Sequence, residues 1–378
     1  KNIIFWGLGL QISFAIIILK TSFGKALFFY FNILIVKLIS FADAGSDFLF
    51  TSFIPEVGYD QALINFAFRA LPVIIFFSSL IAATYHLGLI QIIIKNIAKV
   101  MEKTMKTSGA ETLSISANIF VGQTEAPILI RPYISKMTNS ELMTVMVGGF
   151  STVAGSVMAL YVTWLNNIPE IAGHLLAASV MSAPAALMVA KIIYPETKSY
   201  QIINSNSIKL KSQDNNLVDA IGRGATDGLK LAANVAAMLI AFISLVAMIN
   251  FILSLLGTSM QEMLGLLFKP LAWTMGIPWA DAKIVGTLMG EKIVLTELIA
   301  FRDLSDYVSN NTISERSVII ASYALCGFAN FGSIGIQLGG IGSMAPKRKK
   351  DLSKLVFKAM LGGAIASWLT ASIVGILI

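Results

Sequence analysis

Apolar residues in this chain do not alternate with polar ones. They gather in long runs broken by short charged or glycine-containing stretches. Runs of about 20 apolar residues match what a helix needs to cross the hydrocarbon core of a bilayer. The two-residue alternation of an outer-membrane strand is not sustained anywhere. Runs at 3–20, 26–42, 62–84, 141–164, 171–193, 220–257, 317–341 and 354–378 predict eight transmembrane helices. Two further apolar stretches, 108–130 and 264–300, are interrupted by polar residues and are predicted to be re-entrant hairpins. Backbone that leaves the helix at membrane depth is tolerated only where protein buries it or it lines a cavity. Segment 86–103 sets Leu87, Ile90, Ile92, Ile93 and Ile94 against Lys95, Lys99 and Lys103, the pattern of an interfacial amphipathic helix. Residues 194–215 are polar and read as a linker. The region after it, through Leu256, is long for one helix and is expected to tilt.

Composition turns this pattern into a fold class. The chain has 378 residues, 56% hydrophobic and only 13% charged, with a mean hydropathy of +0.77. A soluble domain carries about 25% charged residues, so the chain is expected to be an all-α polytopic membrane protein. The first run lacks a small-residue cleavage site and reads as a retained helix rather than a signal peptide. The net charge of +7 does not indicate a nucleic-acid partner, because the basic residues sit in loops. Lys20 and Lys25 follow the first run; Lys95, Lys99, Lys103 and Lys106 follow the third. Lys191, Lys198, Lys209 and Lys211 follow the fifth; Lys347, Arg348, Lys349 and Lys350 follow the seventh. With eight spans and two hairpins returning to their own side, all four clusters share one face. The positive-inside rule makes that face cytoplasmic and puts both termini outside. Lys37, inside the second run, is left to snorkel unless the run ends elsewhere. The lone Cys326 excludes an intrachain disulfide. His86 and His174 lie near predicted boundaries and are expected to face water or headgroups, and Tyr161, Trp164, Trp273 and Trp279 to form an aromatic belt.

The chemistry is carried by acids inside apolar sequence. Glu125, in Gly122-Gln123-Thr124-Glu125-Ala126-Pro127, and Glu297, in Thr296-Glu297, each lie in a predicted hairpin. Ionisable residues at membrane depth are costly and usually mark a substrate or ion path. Each Thr-Glu pair precedes a related motif: Gly149-Phe150-Ser151-Thr152-Val153-Ala154-Gly155-Ser156 and Gly327-Phe328-Ala329-Asn330-Phe331-Gly332-Ser333. Hairpin, broken helix and helix thus occur twice, at roughly 105–193 and 264–378, in inverted orientation. Inverted repeats place a site near the midplane, among half-helix ends. Ionised Glu125 and Glu297 would accept hydrogen bonds from hydroxyl, amine or ring N–H groups. An ion pair of Glu125 with Arg131, or a proton relay at either acid, is the competing reading. Gln123 both donates and accepts, as the edge of a heterocyclic base requires. Asn330 and Ser333 share a helix face and suit a polyol, with Phe328 walling the pocket; interhelical packing is the bland alternative. Asn118, Thr152 and the carbonyls of Val121 and Val153 make an oxygen set suited to Na⁺. No HExxH, phosphate loop or nucleophile–base pair is present, so no enzyme activity is expected.

At these residues the chain resembles the concentrative nucleoside transporters. Gly122-Gln123-Thr124-Glu125-Ala126-Pro127, Gly155-Ser156-Val157, Ala324-Leu325-Cys326-Gly327-Phe328-Ala329-Asn330-Phe331-Gly332-Ser333 and Gly339-Gly340-Ile341-Gly342-Ser343-Met344-Ala345-Pro346 carry the likeness. It covers most of the chain from about Ala67 onward and is similar to a sodium-coupled bacterial member. The resemblance implies a homotrimer in the bacterial cytoplasmic membrane, importing uridine-like nucleosides with co-transported sodium by alternating access. It implies scaffold helices at 1–104, a first transport repeat at 105–193, a linker and scaffold span six at 194–258, and a second transport repeat at 259–378. It assigns Gln123, Thr124 and Glu125 to the nucleobase, Glu297, Asn330 and Ser333 to the ribose, and Phe328 and Val157 to the pocket. It assigns Asn118, Val121, Thr152 and Val153 to sodium. The family often has Asn-Glu-Phe where this chain has Thr296-Glu297-Leu298, which keeps the carboxylate but loses an amide. Thr152 stands where Ser can occur and keeps the hydroxyl. Proton coupling through Glu125 or Glu297 remains the alternative, although the intact Gln123-Thr124-Glu125-Ala126-Pro127 string favours Na⁺.

Overall fold

A computed structural model describes residues 2–51, 66–197, 208, 210 and 214–378. These residues are almost entirely helical. In chain order they form α1 (Asn2–Lys20), α2 (Ser22–Phe50), α3 (Leu71–His86, entered through a π-turn at Phe66–Ala70) and α4 (Leu89–Met105). Next come α5 (Gly109–Asn118), α6 (Glu125–Ile128), α7 (Arg131–Ile134), α8 (Asn139–Ser151), α9 (Gly155–Trp164) and α10 (Ile171–Ile193). The second half holds α11 (Leu217–Ser254), α12 (Met260–Thr274), α13 (Ala282–Val294) and α14 (Glu297–Ser309). It closes with α15 (Glu315–Leu325), α16 (Phe331–Met344) and α17 (Lys349–Leu377). Part of the predicted linker, and the start of the predicted third span, lie outside the described residues.

Among the described residues seven helical segments are long and apolar enough to cross a membrane, against eight predicted. The run at 317–341, expected as a broken helix, is the difference. It divides into α15 and α16 because Gly327 adopts φ +123°, which an L side chain rarely takes. Asn330 then opens α16 as an N-cap, its Oδ1 accepting from the Ser333 amide at 2.8 Å. The run at 141–164 is also split, at extended Thr152–Ala154, where Thr152 Oγ1 turns back to the Gly148 carbonyl at 3.2 Å.

Hairpin 1 has α5 as its first limb, started by a capping box between Ser108 and Glu111. Its return limb is only the single turns α6 and α7, punctuated by Pro127 and Pro132. The predicted hairpin at 264–300 is misplaced. That stretch holds most of α12, all of α13 and the start of α14. The hairpin proper is α13–α14, turning at Leu295-Thr296. Helix α12 is separate, ended by Gly276 at φ +93° before Pro278, and lies along α13. It precedes hairpin 2 as α4 precedes hairpin 1, so each repeat has four parts. The predicted amphipathic segment is α4, whose buried face is Gln91, Ile94, Ala98, Met101 and Met105.

The repeats form the interior. In the Asn139–Trp164 segment 94% of the apolar window is buried, against 6% in Leu217–Ser254, which marks α11 as peripheral. Helix α11 is a single run of 38 residues, about 57 Å at 1.5 Å per residue. That exceeds a hydrocarbon core of about 30 Å, so the helix must tilt or project. It packs along α3 through Gly224 and Gly228, where a Cβ would come within 2.7 Å of Ala82 Cβ and of Ile75 Cα respectively. Helix α1 packs instead on α10 and α17, where buried Gln11 donates from Nε2 to Thr370 Oγ1 at 2.7 Å. Lys37 is exposed, with its ammonium 5.2 Å from the Phe41 ring centroid.

Candidate functional site

The two broken helices touch at their breaks. A Cβ on Gly327 would lie 2.8 Å from the Phe150 carbonyl oxygen and 2.8 Å from the Ser151 carbonyl carbon. Glycine is therefore required at 327 for space as well as for φ. This contact brings both hairpin turns onto one polar core. Gln123 Nε2, at the turn of hairpin 1, donates to Ser333 Oγ on α16 at 3.1 Å. Asn330 Nδ2 donates to Glu297 Oε2 at the head of α14, at 2.8 Å. Tyr161 OH on α9 donates to Glu297 Oε1 at 3.0 Å. Gln337 Nε2 reaches Gln123 Oε1 and the Met146 carbonyl, each at 3.1 Å. Six side chains from both repeats thus share one buried chain of hydrogen bonds. Such a network in low dielectric is strong when satisfied and costly when broken.

The remaining expected residues fall around it. Val157 is buried in the first turn of α9, and Ser333 has the matching place in α16, third in from the N-caps Ala154 and Asn330. Phe328 is half-buried between Gly327 and Ala329 and packs against the core. Aligning the helix breaks shows that the motif match used the right segments in a shifted register. Gly149 lies inside α8, whereas Gly327 lies in the break itself. Glu125 departs from the group. It is exposed and lines a cavity of about 420 Å³ with Ser78 and Tyr85 of α3, Arg131, and Arg223 and Asp227 of α11. This volume lies within the range of small-molecule sites. No ion pair joins Glu125 to Arg131 among the described residues.

The residues of the expected oxygen set lie at the hairpin 1 turn and the break that it meets. The Gly155 amide donates to the Phe120 carbonyl at 3.1 Å, which holds the hairpin turn against the break in α8–α9. Asn118 is fully buried; its Nδ2 donates to the Ser114 carbonyl at 3.2 Å, and its Oδ1 has no donor. Thr152 is buried, and its hydroxyl oxygen keeps lone pairs after donating to Gly148. Val121 and Val153 are buried alongside. An orphaned buried carbonyl oxygen costs desolvation unless something electropositive meets it, and hard oxygen donors suit a small cation.

Three side chains were missed or misread in the sequence. Tyr161 is not an interfacial residue: it is fully buried, bonded to Glu297 and stacked on Phe301 at 4.3 Å between centroids. Helix α9 is half of a broken helix, so its middle lies deep. His174 shares a 3.1 Å hydrogen bond with Tyr323 OH and is half-buried, not turned to headgroups. Lys292, on α13, is fully buried and donates to the Ala324 and Cys326 carbonyls at 2.9 and 3.4 Å. Trp273 and Trp279 are exposed, as a belt requires.

Two hairpins turning toward two broken helices, with polar side chains of both repeats bonded between them, define the class of secondary membrane transporters. The family follows from sequence comparison. A model described as Na+ dependent nucleoside transporter C-terminus matches residues 174–375, its N-terminal companion matches 2–53, and a Nucleoside recognition model matches 67–167. The uncharacterized transporter YutK of Bacillus subtilis is 42% identical over 381 residues, covering 98% of this chain and 92% of YutK. Sodium/nucleoside cotransporter 1 of Rattus norvegicus is 42% identical over 396 residues, covering 98% of this chain and 59% of its own length. Solute carrier family 28 member 3 of Eptatretus stoutii is 43% identical over 397 residues, and the chain spans 56% of that protein's length. The structure of CNTnw in an inward-facing substrate-bound state superposes with TM-score 0.91 at 39% identity, covering 99% of this chain and 90% of that one. A variant of CNTnw in an outward-facing state gives 0.90 over the same share of each chain. The chain belongs to the Na⁺-dependent nucleoside transporter family.

Proposed function

We propose that this chain imports nucleosides by symport with Na⁺, through alternating access. The observation that carries this reading is the buried chain Gln123–Ser333–Asn330–Glu297, which couples the tips of both hairpins through one broken helix. A nucleoside is neutral, with hydroxyls at one end and a flat heterocycle at the other. Glu297, Asn330 and Ser333 suit the ribose; Gln123, with Thr124 and Glu125 beside it and Val157 and Phe328 as walls, suits the base. Substrate hydroxyls would replace the contacts these groups now make with each other, exchanging hydrogen bonds rather than stripping them.

Asn118, Thr152 and the carbonyls of Val121 and Val153 are the proposed sodium ligands, supported by the donor-free Asn118 Oδ1. One Na⁺ moving inward down 100 mV yields about 2.3 kcal/mol, enough for about 50-fold accumulation of a neutral substrate. Glu125 opens to a cavity at the α11 end that follows the Lys191–Lys211 cluster. By the positive-inside rule this is the cytoplasmic side, which makes the cavity the release path. In this reading both termini face outward across the bacterial cytoplasmic membrane. The repeats move against a frame centred on α3 and α11, a homotrimer supplies that frame, and no catalysis is involved. Cross-links between a hairpin and α11 that leave uptake intact would argue against the motion.

The test is radiolabelled uridine uptake into proteoliposomes, first with an inward Na⁺ gradient and then with K⁺ and an inward pH gradient. Saturable accumulation with Na⁺ alone is expected. Accumulation driven by the pH gradient alone would shift coupling to Glu125 or Glu297. No uptake under either condition would remove nucleosides as the substrate class.

A further inference from the structure

The two repeats meet their breaks with different chemistry. In repeat one, the first hairpin limb ends in a neutral amide, Asn118, whose Oδ1 has no donor, and the break holds Thr152 and Val153. In repeat two, the first hairpin limb presents an ammonium. Lys292 Nζ donates to the Ala324 and Cys326 carbonyls at the end of α15, and Ser367 Oγ of α17 donates to the Cys326 carbonyl at 2.6 Å. Two carbonyl oxygens therefore hold Lys292, ligands of the kind proposed for sodium, and Ser367 shares one of them. Lys292 is fully buried and makes no ion pair within 4.0 Å among the described residues. Its partners are the carbonyls that a helix leaves unpaired at its C-terminus, where the macrodipole is negative. Glu297 begins the other limb of the same hairpin, on the far side of the Leu295-Thr296 turn.

We propose that Lys292 is the tethered cation of the second repeat, holding α15 to hairpin 2 as Na⁺ holds α8 to hairpin 1. The inference rests on the sodium reading above. The transporter then needs a cation at both breaks to present its substrate groups, but exchanges only one of them. Lys292 is a positioning residue: it fixes the carbonyl end of α15, from which Phe328 and Asn330 follow, and offsets the charge of Glu297.

The test is uridine binding to the purified full chain by calorimetry, across a NaCl series with choline chloride holding ionic strength. Wild-type binding is expected to depend on Na⁺ with a slope of about one. Lys292→Met should weaken uridine binding at least about 30-fold at every Na⁺ concentration. Lys292→Gln places a neutral amide beside the two carbonyls. It should regain affinity at high Na⁺, with the slope rising toward about two. A purely structural lysine would lower stability in both variants without changing that slope. A folded Lys292→Met protein with wild-type affinity, or Lys292→Gln with weakened binding and an unchanged slope, would overturn the proposal. If neither neutral variant is monodisperse on gel filtration, Lys292→Arg decides. Affinity within about threefold of wild type supports a tethered charge, and its loss overturns it. Absence of Na⁺-dependent uridine binding by the wild-type chain overturns the functional reading itself, and is thereby distinguished from failure of the variants.

Discussion

The two repeats share one plan and differ where it matters for movement. Hairpin 1 returns through the proline-punctuated turns α6 and α7, whereas hairpin 2 returns through a continuous helix of 13 residues. Glu125 on hairpin 1 is exposed to the cavity; Glu297 on hairpin 2 is buried and held by Tyr161 and Asn330. The first break leaves an amide oxygen without a donor, while the second is filled by Lys292. Single turns interrupted by proline are easier to rearrange than a capped helix of 13 residues. Under the proposed function, the contrast makes repeat one the side where ion and base would be taken and released. Repeat two would then be the more rigid hold on the ribose, moving as one piece against the frame.

Glu297→Gln is the sharpest way to break that assignment. It keeps the shape but removes the charge, and it turns an acceptor-only group into one that can face Asn330 Nδ2 with another donor. Uridine affinity measured by calorimetry should fall at least about 100-fold, since hydrogen bonds to charged groups are worth about 1.5–3 kcal/mol each. Na⁺-dependent thermal stabilisation should persist if the ion binds in repeat one as proposed. A variant that loses both would show that the repeats are not separable. Asn118→Ala makes the reciprocal test: the Na⁺ concentration needed for half-maximal stabilisation should rise about 30-fold. Uridine binding should return at high Na⁺.

How much of this could be read from residues alone depends on which property set the structure. The uninterrupted runs 171–193 and 220–257 are each one helix, because length and hydropathy suffice there. The motif at 327–333 marks the run at 317–341 as a broken helix, but composition does not register the backbone angle of Gly327 that sets where it breaks. Hairpin 2 was placed too early because α12 is as apolar as a re-entrant limb, and only the Gly276 turn separates them. Of the residues that the resemblance names, Gln123, Ser333, Asn330 and Glu297 meet in one hydrogen-bonded chain, while Glu125 faces the cavity. Tyr161 lies near the end of the 141–164 run and so reads as interfacial, whereas the break at Thr152–Ala154 puts the middle of α9 deep. Lys292 did leave a signal: an ionisable residue in apolar sequence, five positions before Glu297, to which the rule applied to the glutamates extends equally.

Tyr161→Phe asks how firmly repeat two is held. The ring can keep its stack on Phe301 while Glu297 Oε1 loses a donor. Uridine affinity should fall about 15-fold, in line with one hydrogen bond to a charged group. An unchanged affinity would mean that the acid orients itself.

Gln337→Met has the smallest expected effect and tests the seam between the repeats. Gln337 is buried on α16, one turn beyond Ser333 on the same face, and its Nε2 bonds Gln123 Oε1 and the Met146 carbonyl. Its own Oε1 has no donor, so removing the amide also removes one unsatisfied buried atom. Methionine has a similar volume and adapts to irregular gaps. The net cost is then about one neutral hydrogen bond, about 1 kcal/mol or fivefold in uridine affinity. Because Gln337 acts through Gln123, the loss should appear with analogues altered on the base edge. It should be absent from the ratio of affinities for uridine and 2′-deoxyuridine, which reports on Glu297 and Asn330. A variant that changes the ribose ratio instead would place Gln337 in repeat two's hold on the sugar, and would erase the division of labour between base and ribose on which the comparison stands.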